Sequence, residues 1–270
     1  MSIAYSQKNI DGLDPLVAST ILNMSYGNDP HQTMDIYLPA NRGCSSTKLL
    51  AIIHGGGFNS GDKADLNIYI RMMQQVLPGY AIFNIDYRMA TGKKTVFPAQ
   101  ENDVNAALEF IISHSTACDI SQKLVLLGIS AGGTLALLQG YKYSSPVIPG
   151  AIISFFGPTD LRELYNHPNP LVPLTLLQVT GKTPSDDPAI YDSSSPINFV
   201  TPNSPPTMLF QGGMDPIVSP EQAIALQAKL STTGVINQYV FYPKEGHGWH
   251  GPELKDSFDK IRAFLNAHVD

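Results

Sequence analysis

Ser130 stands between two glycine positions in Gly128-Ile129-Ser130-Ala131-Gly132-Gly133, after the apolar run Lys123-Leu124-Val125-Leu126-Leu127 and before a helix-forming stretch. A serine on a sharp strand-to-helix turn has its hydroxyl pushed out at the edge of a sheet, and the flanking glycines relieve collisions within the turn. The pentapeptide alone is a weak signal, and its flanks carry most of the weight. A serine hydroxyl is a poor nucleophile at neutral pH, so Ser130 needs a histidine to take its proton and an acid to orient that histidine.

Seven histidines compete for the base. His31 precedes the expected sheet, His114 falls in a helical pattern, His167 lies in an irregular stretch and His268 is at the chain end. His247, in Glu245-Gly246-His247-Gly248-Trp249, follows the last expected strand and precedes the last helix, where the base belongs. For the acid, Asp215 follows the run 207–211 and completes the chain order Ser, Asp, His; Asp160, just after the preceding strand, is the main alternative. Consecutive glycines in His54-Gly55-Gly56-Gly57-Phe58 let bare backbone N–H groups approach an oxygen, so Gly56, Gly57 and Ala131 are candidates for an oxyanion hole. His54 is read as orienting that glycine loop. Phe58, Asn59, Phe156 and Trp249 are candidate pocket residues from their positions beside these motifs. His247 and His250 make a weak metal pair, with no third ligand at a suitable spacing, and the hydrolytic route calls for no metal or cofactor. Asp86-Tyr87-Arg88 is expected to make internal turn contacts, with Arg88 gripping an anionic substrate as the other reading.

These residues need elements to bring them together. The runs 49–53 and 80–85 are continuous and apolar, as in central parallel strands, and 33–39 alternates like a strand near an edge. Further strands are expected at 123–128, 151–156, 207–211 and 237–242. Between and after them, Val104, Ala107, Leu108, Ile111 and Ile112, and then Leu254, Phe258, Ile261, Phe264 and Leu265, recur at helical spacing. Ser219-Pro220-Glu221-Gln222 supplies an N-cap, a first-turn proline and a capping-box glutamine for a helix to about Leu230. The alternation predicts an α/β fold with a mostly parallel sheet covered on both faces. The segment 158–206, rich in Pro, Ser, Asn and Asp, breaks the rhythm and is read as a cap or lid insertion in a single domain spanning 1–270.

The 270 residues are 43% hydrophobic and 15% charged, with a net charge of -6 and scattered Lys and Arg. That pattern carries no electrostatic footprint for nucleic acid or an acidic membrane, and no run is long enough to span a bilayer. The start of the chain lacks a basic stretch followed by an apolar block. This favours a cytoplasmic chain, or a secreted or periplasmic one if a signal has been removed. Cys44 and Cys118 have no CxxC or metal-type spacing. The partner is a small molecule, and the sequence leaves the oligomeric state open, a dimer included.

Taken together, His54-Gly55-Gly56-Gly57, the Ser130 turn, Asp86-Tyr87-Arg88 with Phe97-Pro98-Ala99, Asp215 and His247 resemble the α/β-hydrolase superfamily over about residues 33–265. More narrowly, they resemble hormone-sensitive-lipase-like carboxylesterases and the small carbohydrate esterases that include bacterial acetyl-xylan and feruloyl esterase-like proteins. The resemblance implies an eight-stranded core sheet, serine-dependent ester hydrolysis and a cap over the site. The chain departs from the lipase-like pattern where Ile129 replaces an acidic residue and Met89-Ala90-Thr91 replaces Ala-Pro-Glu. With about thirty residues before the first expected strand, a large N-terminal cap is expected to be absent or reduced, so 158–206 becomes the main lid. A carboxylesterase acting on a small ester, including acetylated or feruloylated carbohydrate, is the leading reading. An aryl formamidase-like amidase or small peptidase is the same-chemistry alternative, and a catalytically silent binding protein of the same fold is the rival from another class. The absence of an extended apolar lid favours a short or aromatic acyl group.

Overall fold

The apolar runs become eight strands in the computed structural model, which describes residues 10, 12–92 and 95–269. They are β1 (Ser19–Ser25), β2 (Thr33–Leu38), β3 (Leu49–Ile53), β4 (Ala81–Ile85), β5 (Leu124–Ile129), β6 (Ala151–Phe155), β7 (Thr207–Gly212) and β8 (Asn237–Tyr242). They form one sheet in the order β1-β2-β4-β3-β5-β6-β7-β8. β1 and β2 are antiparallel to their neighbours, and every pairing from β4 to β8 is parallel. The parallel strands end at a common edge, so the loops that follow β3, β5, β7 and β8 converge there.

The helices are α1 (Asn67–Val76), α2 (Ala99–Ser113), α3 (Ala131–Lys142), α4 (Leu161–Leu164), α5 (Leu171–Thr180), α6 (Pro188–Ser193), α7 (Pro220–Thr232) and α8 (Gly251–His268). Successive side chains of a strand point to opposite faces, and both faces here are apolar. Leu49, Ala51 and Ile53 pack with Val104 and Leu108 of α2 and Leu135 and Leu138 of α3. Leu50 and Ile52 pack on the other side with Ile70 and Met73 of α1 and Phe258 and Ile261 of α8. Burying a Leu or Ile side chain contributes about 1.5–3 kcal/mol, so each five-residue strand is anchored from both faces.

Three expectations change. The first strand is β1, outside β2; of its seven residues only Met24 is buried, so it carries no apolar alternation. The first nine residues, whose lack of a signal-type block was considered above, lie outside the described residues. Ser219 makes no side-chain cap at α7. Instead Gln222 Oε1 accepts from the N–H groups of Thr159 and Asp160, at 2.8 Å each, and fixes the start of the 158–206 segment. That segment is more regular than its prolines suggested, holding α4, α5, α6 and a short 3₁₀ turn at Pro196–Phe199. Cys44 is exposed, Cys118 is buried, and the two are not joined.

Candidate active site

The turn after β5 is sharp enough to strain its central residue. Ser130 has φ 53° and ψ -121°, between the last residue of β5 and the first of α3. A non-glycine residue in such a region costs on the order of 1–3 kcal/mol, and the neighbouring backbone holds it there. Gly132 permits the crossing: a methyl at that position would lie 2.2 Å from the Ile53 carbonyl oxygen. Gly55 lets the β3 loop approach the same turn, since a methyl there would sit 3.1 Å from Ser130 Cβ and 2.9 Å from the Ile129 oxygen.

His247, on the loop after β8, reaches Ser130 Oγ with Nε2 at 2.8 Å and Asp215 Oδ2 with Nδ1 at 2.7 Å. A carboxylate can only accept, so Nδ1 carries the proton and Nε2 presents a lone pair to the serine hydroxyl. The Asp215 side chain is fully buried. Its Oδ1 accepts from the N–H groups of Ile217 and Val218, at 2.9 Å each, and Gln211 Nε2 donates to Oδ2 at 3.2 Å. These bonds compensate the burial of the charge and aim the carboxylate. Phe156, itself at φ 40°, packs its ring 4.5 Å from the imidazole, centroid to centroid. Asp160 is elsewhere: it caps α4 by accepting from the N–H groups of Arg162 and Glu163 at 3.0 and 2.9 Å.

Gly56 and Gly57 line the same cavity as Ser130 and Ala131. Ala131 opens α3, where an N–H has no intrahelical carbonyl to reach and the helix dipole favours negative charge. His54 holds the glycine loop from behind. Fully buried, it stacks on Tyr87 with centroids 4.3 Å apart, and its Nδ1–H donates to the Gly55 oxygen at 2.7 Å. Burial, the largest influence, pushes its pKa below the ordinary value of 6.5. The Asp86-Tyr87-Arg88 run makes internal contacts. Asp86 pairs with Lys63 at 2.8 Å, the Tyr87 hydroxyl donates to the His54 carbonyl at 3.1 Å, and Arg88 pairs with Asp103 at 2.6 Å.

The cavity above Ser130 has a volume of about 590 Å³. Phe58, Phe156 and Trp249 line it, but Asn59 does not: its amide donates to Gln178 Oε1 at 3.0 Å, tying the glycine loop to α5. Sequence reasoning missed Leu66, Tyr69, Leu164, Val172, Leu176 and Ile217, all on the wall. Tyr69 and Leu66 sit where no motif pointed. The Leu171–Leu177 run was the available signal for the α5 residues, and it reads as an apolar wall once helical. Desolvation raises the Tyr69 phenol to about 12, so it stays protonated. His250 is exposed at the rim, whereas both ring nitrogens of His247 are engaged.

The BD-FAE family model matches residues 34–230. Among curated relatives, esterase LipC of Mycobacterium tuberculosis is 24% identical over 259 residues, covering 90% of this chain and 62% of its own length. Esterase LipQ of the same organism is 24% identical over 213 residues, covering 74% of this chain and 50% of its own. The chain thus spans only half to three-fifths of these relatives. A truncated carbohydrate esterase from gut microbiota superposes with a TM-score of 0.80 at 22% identity, over 96% of this chain and 98% of that one. A bacterial heroin esterase superposes with a TM-score of 0.77 at 22% identity, over 98% and 87%. A sheet of this order with helices on both faces, matched over nearly its whole length by such structures, has the α/β-hydrolase fold, and the chain belongs to the BD-FAE family.

Proposed function

We propose that this chain is a carboxylic ester hydrolase that works through an acyl-enzyme on Ser130. The observation that carries the reading is the unbroken hydrogen-bond chain from Ser130 Oγ through His247 to the buried carboxylate of Asp215. His247 Nε2 takes the serine proton as Oγ attacks the ester carbonyl, and Asp215 stabilises the imidazolium that forms. The N–H groups of Gly56, Gly57 and Ala131 stabilise the oxygen as it gains charge; each such donor is worth about two to three orders of magnitude in rate. The tetrahedral intermediate collapses, the alcohol leaves with the proton from His247, and water then releases the acid by the same route reversed.

The names of the relatives and structural neighbours support an ester as substrate, and several of those names point to carbohydrate esters. The 158–206 segment is the cap of this site within one α/β-hydrolase domain. Among the described residues no helix is long and apolar enough to cross a membrane, and the proposed partner is a small ester. A fluorophosphonate probe tests the reading. Stoichiometric labelling at Ser130, lost in Ser130→Ala together with ester hydrolysis, is the expected result. An unlabelled native protein, or a Ser130→Ala variant as active as the parent, would sink it.

A further inference from the structure

The two walls of the cavity belong to different packing units. Leu164, Val172 and Leu176 pack with Leu161 and Tyr191 in a cluster confined to the 158–206 segment. Phe156 and Trp249 pack with the helical layer of α1 and α8, and this wall carries Tyr69, Asp65 and His250 beside its aromatic rings. One wall is therefore largely aliphatic, with Thr175 of α5 its one hydroxyl-bearing residue, and the other is aromatic and polar apart from Leu66.

The direction of proton transfer assigns the walls. His247 Nε2 must come within hydrogen-bond reach of the leaving oxygen, so the alcohol lies on the His247 side. The Phe156 ring packs on His247, and Trp249 packs on Phe156 with centroids 5.3 Å apart, so that side is the aromatic and polar wall. The acyl group extends the opposite way, toward α5. There α5 closes directly over the oxyanion loop, since a methyl on Gly57 would meet Thr175 Cγ2 at 3.1 Å. The aliphatic surface continues outward to Leu171 at the rim, which is 67% exposed although it lines the cavity.

Resting on the ester-hydrolase reading, we infer that the acyl group is an aliphatic chain of several methylenes seated against Leu164, Val172 and Leu176. A sugar or feruloyl group would find only the Thr175 hydroxyl beside these three apolar side chains. An acetyl group would leave their surface uncovered. This inference departs from the sequence-based expectation of a short or aromatic acyl group, because the Leu171–Leu177 run folds into the apolar wall that looked absent.

The test is a series of p-nitrophenyl acetate, butyrate, hexanoate and feruloate on the intact chain. With each methylene worth about 0.8 kcal/mol of burial, kcat/KM is expected to rise about fourfold per methylene up to hexanoate. Val172→Phe, which fills the acyl side, is expected to lower the hexanoate-to-acetate ratio by about tenfold or more, with folding checked by fluorophosphonate labelling. Acetate or feruloate as the best substrate overturns the inference while leaving ester hydrolysis intact, and so does an unchanged ratio in a labelled Val172→Phe variant. If that variant does not fold, the chain-length series on the parent decides alone. No hydrolysis of any of the four, with Ser130 unlabelled, removes the hydrolase reading itself.

Discussion

The loops after β5, β7 and β8 and the 158–206 segment meet at one cavity but are held in different ways. Ser130 and Asp215 follow the parallel strands β5 and β7, whose residues are all buried, and His247 follows the edge strand β8, where only Val240 is buried. The segment instead rests on a small cluster of five buried residues, on Gln222, on the Asn59–Gln178 contact, and on Val179 and Val200, which join the main core. Its helix α5 leaves Leu171 and Leu174 at 67% and 60% exposure. The positions of Ser130 and Asp215 thus depend on the most deeply packed strands, and the shape offered to the acyl group depends on a segment whose helix α5 keeps one face exposed.

The sharpest way to break this division is at the acid. Asp215→Asn is expected to lower kcat by roughly four orders of magnitude with the fold intact, because the imidazole loses the acceptor that fixes its tautomer. Asp160→Asn should keep its activity within about twofold. Kinetics on both variants check the assignment, and the opposite outcome would place the acid in the segment.

Stability should divide along the same line. Leu126→Ala in β5 removes a fully buried side chain and is expected to cost about 2–5 kcal/mol in denaturant unfolding. Leu174→Ala on exposed α5 should stay within about 0.5 kcal/mol. Equal losses would show the segment to be as integral as the sheet.

The smallest expected effect concerns His54. Its depressed pKa means that the unfolded chain takes up a proton below about pH 6.5 while the native chain does not. Stability attributable to this residue is therefore complete above 6.5 and is lost as pH falls from there toward the lower native value. The loss is at most about 1.4 kcal/mol per pH unit. Thermal melts from about pH 7.5 to 5.5 should show a shallower decline in His54→Asn than in the parent. Parallel curves would mean that the buried histidine takes up its proton as readily as the unfolded one.

Legibility in the sequence followed the same boundary. The strands β3 to β7 were readable because burial on both faces leaves continuous apolar runs, and the Ser130 turn because close backbone approach demands glycine at fixed offsets. β1 was silent, since an exposed edge strand needs no apolar pattern. In the segment, the prolines were read with Ser, Asn and Asp as a break in the rhythm of elements. Pro188 and Pro196 instead begin helical turns, and Pro173 falls in the first turn of α5, where its missing N–H has no carbonyl to reach. Asn59 was placed in the pocket by adjacency to Phe58, yet it bonds to α5 across the loop.

The twist at Ser130 reaches beyond the site itself. A residue held at φ 53° and ψ -121° draws on the order of 1–3 kcal/mol from a net stability that, for a folded domain, is only about 5–15 kcal/mol. The doubly buried strands therefore act as a reserve, keeping the chain folded around a residue that its local geometry would rather release. Sequence drift that erodes that reserve, even far from the cavity, would narrow the range of substitutions the active site can tolerate.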